Sequence, residues 1–360
     1  MAVKELMLSM IDTAIINTIL SDAVEKEVFP GCACALVHDG RTSIITKGNY
    51  TYAPDSKSVD TTAIYDVASI TKAIPVSSLA LKLVEKRLIS LDDLLITHVP
   101  GFTGKYRELI SIRHLLTQTL HFDFRLSAYS HLTSEEILNH ILTADLACIP
   151  GTSFNYANAT SILLGLVIER VTGKNLEQCG REFFFDPLEM HSTSFFSEKL
   201  RKENIVPSEM TPDGHRICGD VHDESARALR PLIVGSAGLF STIDDLSHFL
   251  EMLVNDGVWK NRRFFEESTM QQMSSNQLVG DFGDEQAGLG WELNQKTSMG
   301  IYNGMDVFGK TGFTGCSIAV CRQKKCGYIL LSNHIFPKRR ESRDQINSVR
   351  RALLKSLLVT

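Results

Sequence analysis

Strand-like sequence is confined to the two ends of this chain, and that distribution narrows the folds open to it. Cys32 to Val37 and Thr42 to Thr46 are β-rich runs joined at Asp39-Gly40, a dipeptide suited to the positive backbone dihedrals of a tight hairpin. Ser317 to Cys321 and Tyr328 to Ser332 form a second β-rich pair around the polar Gln323-Lys324-Lys325. Helical patterning borders both pairs. Leu6 to Val28 is amphipathic, and Ile346 to Leu358 sets Ile346, Val349, Leu353 and Leu357 on one face. That last stripe is what a helix lying on a sheet needs, although a basic helix on a membrane surface would carry a similar one.

Between the ends, Ser77 to Lys86, Ile112 to Thr117, Ser134 to Leu142, Ala159 to Val171 and Ile243 to Val254 carry helical spacing, with few strand-like alternations. The predicted architecture is α+β: an antiparallel β-sheet formed from both chain ends and flanked by helices, with an inserted, mostly α-helical lobe. Residues 1–75 and 255–360 are expected to make the discontinuous sheet lobe and 76–254 the helical lobe, with a site between them. At 360 residues and 43% hydrophobic content, the chain can bury a core of that size. No repeat or linker marks a further domain.

Charge excludes some functions. The formal charge of -5 comes from mixed signs, and the only dense basic run is Lys338-Arg339-Arg340, so no nucleic-acid partner is expected. No apolar run approaches the ~20 residues that span a bilayer, and no membrane partner is expected. Met1 to Leu20 lacks the basic start, unbroken apolar stretch and small-residue cleavage site of a secretion signal, which makes cytoplasmic residence the expectation. Eight cysteines form no Cys-x-x-Cys and eleven histidines form no His-Glu-x-x-His, so neither a metal nor another cofactor is expected. Cys32 and Cys34 read as small buried thiols. Nothing specifies an oligomeric state, and the composition points to small-molecule chemistry.

Three short motifs carry that chemistry. Ser69 stands three residues before Lys72 in Asp66-Val-Ala-Ser-Ile-Thr-Lys72, where the chain is expected to enter a helix. A serine hydroxyl needs a base to take its proton as it attacks a carbonyl, residues three apart share a helical face, and a helix start favours developing negative charge. Taken alone, the pair reads more simply as a capping serine followed by a solvated lysine. Tyr156-Ala-Asn158 follows the turn signal Pro150-Gly151 and is expected on a loop before a helix. Two nearby ammonium groups would favour the ionised phenol of Tyr156 and make it a proton carrier. Asn158 offers a donor and an acceptor for orienting Lys72 and a substrate amide; a packed ring and a turn asparagine would fit the same tripeptide. Lys310-Thr311-Gly312 then precedes Phe313-Thr-Gly315 along or beside a sheet edge. There Lys310 supplies positive charge, Gly312 permits close approach, and a substrate could pair as an extra strand. A solvated edge lysine is the plainer alternative.

The ordered conjunction of Ser-x-x-Lys, Tyr-x-Asn and Lys-Thr-Gly resembles the β-lactamase and penicillin-binding serine hydrolase superfamily, most closely its β-lactamase-related branch of class C β-lactamases, DD-peptidases and similar esterases. Phe29-Pro-Gly31, Leu88-Ile-Ser-Leu-Asp-Asp93, Arg113-His-Leu-Leu116, Ala237-Gly-Leu-Phe-Ser241 and Gly288-Leu-Gly-Trp291 extend the likeness over nearly the whole chain. The resemblance implies Ser69 as the acylated nucleophile, with Lys72 and Tyr156 managing its proton. It implies Asn158, Lys310, Thr311, Gly312 and Phe313 on the substrate, with the Ser69 and Phe313 amides forming the oxyanion hole.

Some residues depart from the pattern. Thr117-Gln-Thr-Leu-His121 replaces a segment that reads His-Thr-Ser-Gly in many relatives, and Pro75 is expected to bend the nucleophile helix. Cys316 and Phe313 are expected to crowd the third-motif strand and alter the acyl pocket. His222 and Asp223, in Gly219-Asp-Val-His-Asp223, are expected either to line the cleft or to form a structural hydrogen-bonded pair. The function implied is a metal-free serine hydrolase acting on an ester or amide through a Ser69 acyl-enzyme. Its alternatives are a β-lactamase or D-Ala-D-Ala carboxypeptidase, and a non-catalytic, penicillin-binding-like ligand-binding or scaffold protein.

Overall fold

The computed structural model describes residues 13–302 and 304–358. Helix α1 spans Thr13–Glu25; the earlier part of the helix expected from Leu6 lies outside the described residues. Strands β1 (Gly31–His38) and β2 (Arg41–Gly48) then form a hairpin that closes at the pair His38 and Arg41. Both turn residues have positive φ, 47° at Asp39 and 71° at Gly40, as their side chains allow.

The central sheet has six antiparallel strands. Besides the hairpin it contains β3 (Glu292–Leu293), β4 (Val307–Thr311), β5 (Ser317–Cys321) and β6 (Cys326–Ser332), in the spatial order β2-β1-β6-β5-β4-β3. The first and last long strands pair along their length, from Cys32 opposite Ser332 to His38 opposite Cys326. Both chain ends therefore build one sheet, and the third motif, on β4, reaches it through β5.

The sheet is covered on both faces, which is why β1, β5 and β6 are almost wholly buried and read as continuous apolar runs. On one face Cys32, Cys34, Leu36, Tyr328 and Leu330 pack with α1 and with the C-terminal helix α7 (Asp344–Leu358), through Ile16, Leu20, Ile346, Leu353 and Leu357. The other face presents Ala33, Ala35, Val37, Ile329 and Leu331 to the larger core. Helix α6 (Ile243–Val254) lies on that face against β1 and β6, although in sequence it closes the mostly helical stretch. Thr242 caps it by accepting from Asp245 N, and its buried side chains run from Ile243 to Val254.

The middle of the chain holds α2 (Ser78–Glu85), α3 (Ile112–Leu116), α4 (Ser134–Thr143) and α5 (Asn158–Thr172), close to the helices expected from spacing. Ser111 and Thr133 start α3 and α4 with reciprocal capping boxes. The fold is α+β, an antiparallel sheet with flanking helices. No described helix is long and apolar enough to cross a membrane.

Candidate active site

Ser69 lies on a short 3₁₀ turn, Ala68–Lys72, not on the α-helix expected there. The turn follows Tyr65–Asp66, which pairs with Phe240–Ser241. Asp66 shapes it: one carboxylate oxygen accepts from Ala68 N at 2.8 Å and the other from His222 N at 2.8 Å. Ala68 is thereby held at φ 49°, and Thr71 Oγ1 donates to the Ala68 carbonyl at 2.6 Å. Burial pushes the Asp66 carboxyl above its usual range, against the two amides that favour its charge. Pro75 acts as its ring chemistry requires: Ile74 leaves helical geometry at φ -117° and ψ 107°, and regular helix resumes only at Ser78. Ser69 and Lys72 thus sit on one isolated turn, whose dipole is far smaller than that of a full helix.

The break leaves their contact intact. Lys72 Nζ lies 3.1 Å from Ser69 Oγ, and Lys72 is 3% exposed. Its other partner is the main-chain carbonyl of Ser236 at 2.7 Å. That carbonyl is set by neighbouring Gly235, where an added Cβ would fall 2.1 Å from the Ser161 carbonyl of α5. No hydrogen bond joins Asn158 to Lys72 among the described residues; the Asn158 amide donates instead to Asp223 Oδ2 and Ser225 Oγ, each at 3.1 Å. The expected orienting role of Asn158 on Lys72 is therefore filled by the Ser236 carbonyl.

Tyr156 stands between two ammonium groups, with Lys310 Nζ 4.4 Å and Lys72 Nζ 5.0 Å from its ring centroid. Although Tyr156 as a whole is 45% exposed, desolvation around its phenol pushes the group up, but Lys310 and Lys72, together with a hydrogen bond to Ser69, outweigh it and hold it below the ordinary phenol range. The tyrosine backbone is bracketed by one residue: Asn155 N donates to the Gln118 carbonyl at 2.8 Å, and Ala157 N to its side-chain Oε1 at 3.2 Å. Gln118 itself sits at φ 56°. The segment that departs from the family pattern is thus the one that presents the phenol.

Lys310 and Thr311 end β4, and both reach Glu292 of β3: Lys310 forms an ion pair with it, and Thr311 Oγ1 donates at 3.4 Å. Burial works against the Lys310 charge, yet Glu292 and then Tyr156 outweigh it and raise the ammonium above its usual range. At Gly312 an added Cβ would fall 2.5 Å from the Val67 carbonyl, so only glycine lets this strand end press against the turn that carries Ser69. The Ser69 and Phe313 amides, on the two sides of that contact, donate no hydrogen bond among the described residues. Phe313 stands on the cleft wall, stacked on His222 with ring centroids 5.6 Å apart and under the Arg343 guanidinium at 4.5 Å.

Two expectations need correction. Cys316 does not crowd the pocket: the turn beginning at Gly312 carries it inward, where it is fully buried, its Sγ within 3.6 Å of the Ser332 carbonyl and 3.8 Å of the Asp66 carbonyl. Burial pushes its thiol up to about 11. His222 and Asp223 both line the cleft, but they are not bonded to each other. His222 Nε2 pairs with Glu209 at 2.6 Å, whereas Asp223 accepts from Ser225 Oγ at 2.6 Å and Ala226 N at 2.9 Å.

The cleft has a volume of about 830 Å³, with Ser69, Tyr156, Asn158, Lys310, Thr311 and Phe313 on its wall. Serine, two ammonium groups and a phenol in contact there can exchange a proton, and the two free amides can accept an oxyanion. Asp66, Gln118, Ser236, Asp223 and Glu292 complete the surroundings; of these Asp223, and Gln118 within its departing segment, stood out in the sequence.

Comparison with known proteins places the chain in one family over nearly its whole length. A family profile described as "Beta-lactamase" matches residues 16–350. An N-acetylmuramyl-L-alanine amidase of Bacillus subtilis (strain 168) is 24% identical over 354 residues, covering 86% of this chain and 79% of its own. A protein of Escherichia coli (strain K12), provisionally named D-alanyl-D-alanine carboxypeptidase, is 25% identical over 305 residues, covering 76% of this chain and 69% of its own. Among solved structures, EstCE1, described as a hydrolase with promiscuous acyltransferase activity, superposes with a TM-score of 0.76 at 20% identity, covering 94% of this chain and 98% of its own.

Proposed function

The chain belongs to the beta-lactamase family, and from that premise we propose that it is a serine hydrolase cleaving esters or amides through an acyl-enzyme on Ser69. The observation that carries this reading is the contact of Lys72 Nζ with Ser69 Oγ at 3.1 Å, beside a phenol flanked by two ammonium groups.

In the proposed cycle Ser69 Oγ attacks the substrate carbonyl carbon while its proton passes to the Tyr156 phenolate. Lys72 and Lys310 favour that phenolate before attack and supply the proton's surroundings after it. Negative charge builds on the carbonyl oxygen and is met by the Ser69 and Phe313 amides, an arrangement typically worth about 3 to 4 kcal/mol per donor in the transition state. Collapse breaks the bond to the leaving group, which takes the proton back from Tyr156. A water then gives its proton to Tyr156 and attacks the acyl carbon; collapse breaks the bond from that carbon to Ser69 Oγ, which takes the proton back from Tyr156, and the acid is released.

Asn158, Thr311 and Lys310 are the groups on the cleft wall fitted to bind substrate polar atoms. Esters or small peptides are the leading substrates, and the names of the amidase and carboxypeptidase relatives support amide substrates within the same mechanism.

The test is covalent labelling. A fluorophosphonate or labelled penicillin should modify Ser69, and Ser69→Ala should lose the label together with p-nitrophenyl acetate turnover, by at least about 10³-fold. Equal turnover by the two proteins, or label on another residue, would refute the acyl-enzyme. Release of D-alanine from a D-Ala-D-Ala peptide in a parallel assay would assign the carboxypeptidase substrate.

A further inference from the structure

Helix α7 carries a buried cation with no anion beside it. Arg350 is 3% exposed, and no carboxylate lies within ion-pair reach of it among the described residues. One of its nitrogens, Nη2, donates to the Gly312 carbonyl at 3.2 Å and to the Cys316 carbonyl at 2.9 Å. Nη1 donates to Asn347 Oδ1 at 2.9 Å, and Nε has no partner. Burying an unpaired guanidinium is costly, so its placement calls for a compensating role.

The two carbonyls that Arg350 holds are the ends of the third-motif turn. Gly312 N donates to the Cys316 carbonyl at 2.8 Å and Gly315 N to the Gly312 carbonyl at 3.2 Å, closing that turn around Phe313. The Gly312–Phe313 peptide is trans, as all but three X-Pro bonds among the described residues are. In a trans peptide the C=O and N–H point in opposite directions. With the Gly312 carbonyl drawn to α7, trans geometry directs the Phe313 N–H away from α7, and Phe313 and Ser69 line the same cleft. The guanidinium also polarises the peptide, which strengthens that N–H as a donor.

We propose that Arg350 is a positioning residue for the oxyanion hole, fixing and polarising the Gly312–Phe313 peptide from behind the active site. The proposal rests on the acyl-enzyme reading above. No substrate touches Arg350; it acts through the Phe313 amide, and its effect should fall on the transition state.

Arg350→Met removes the charge at similar volume, and Arg350→Lys keeps the charge without the fork. The measurements are kcat and KM for p-nitrophenyl acetate, affinity for phenylboronic acid, whose adduct on serine places an oxygen in the oxyanion hole, and thermal stability. Arg350→Met should lower kcat/KM about 10- to 100-fold, less than outright loss of an oxyanion donor, with boronate affinity falling by a similar factor. Arg350→Lys should show a smaller, parallel loss. Unchanged boronate affinity in the lysine variant, or losses confined to stability, would overturn the proposal; if the methionine variant does not fold, the lysine variant decides. Absence of any Ser69 label in the wild type would instead refute the acyl-enzyme itself, so the two failures are distinct.

Discussion

Glu292 is ion-paired with Lys310 inside the cleft wall, the glutamate side chain 19% and the lysine side chain 4% exposed. The pair joins neighbouring strands β3 and β4 and holds the ammonium against Tyr156. Breaking a buried pair from one side leaves the other charge without its partner. Glu292→Gln is therefore expected to cost about 1 to 3 kcal/mol of stability, as for other unsatisfied buried groups. Its effect on pH dependence has a definite sign. Glu292 raises both the Lys310 ammonium and the Tyr156 phenol, so its removal should move both limbs of the kcat/KM profile to lower pH. A profile unchanged from wild type would contradict the role assigned to the pair.

Lys310→Met should have the opposite effect on the phenol. The ammonium is the strongest influence holding Tyr156 below its usual range, and burial, which remains, pushes the group up. Ionisation of Tyr156, followed by near-ultraviolet phenolate absorbance, should move to higher pH, and the acid limb of activity should move with it. Tyr156→Phe should abolish that absorbance change and reduce turnover about 10²- to 10⁴-fold, the usual contribution of a positioned acid–base group. Retention of the wild-type ionisation in Lys310→Met would show that the lysine does not govern the phenol.

Gly312→Ala is expected to separate the third-motif strand from the nucleophile turn. The added Cβ would fall 2.5 Å from the Val67 carbonyl, a backbone atom that cannot rotate away. Overpacking of this kind costs about 1 to 3 kcal/mol, and the shift should weaken the oxyanion site. Urea unfolding and Ser69 labelling together test this; normal labelling in a normally stable variant would remove the close approach from the argument.

Where pattern and structure agree, local chemistry is decisive. Asp39-Gly40 makes the hairpin turn because both residues tolerate positive φ, and β5 runs over Ser317–Cys321, as its β-rich run predicts. Ser69, Lys72, Tyr156 and Lys310 were recognisable because each belongs to a short motif, and these side chains converge. The missed residues act differently. Ser236 contributes a carbonyl, which every residue has, and Gln118 works by bracketing the backbone of a distant loop. Arg350 faces inward on a helix whose periodicity gives no sign of a cation's partners. Pro75 signals a break, but its place in the sequence does not say that regular helix resumes only at Ser78, beyond Lys72.

The pairing of β1 with β6 also fixes an order of events during synthesis. The β1–β2 hairpin is made long before β6, its partner along β1, from which it is separated by most of the described residues. Contacts so distant in sequence close slowly, and Arg350 follows later still. A nascent chain can therefore carry Ser69, Tyr156 and Lys310 while still lacking β6, the strand that links the third-motif strands to β1.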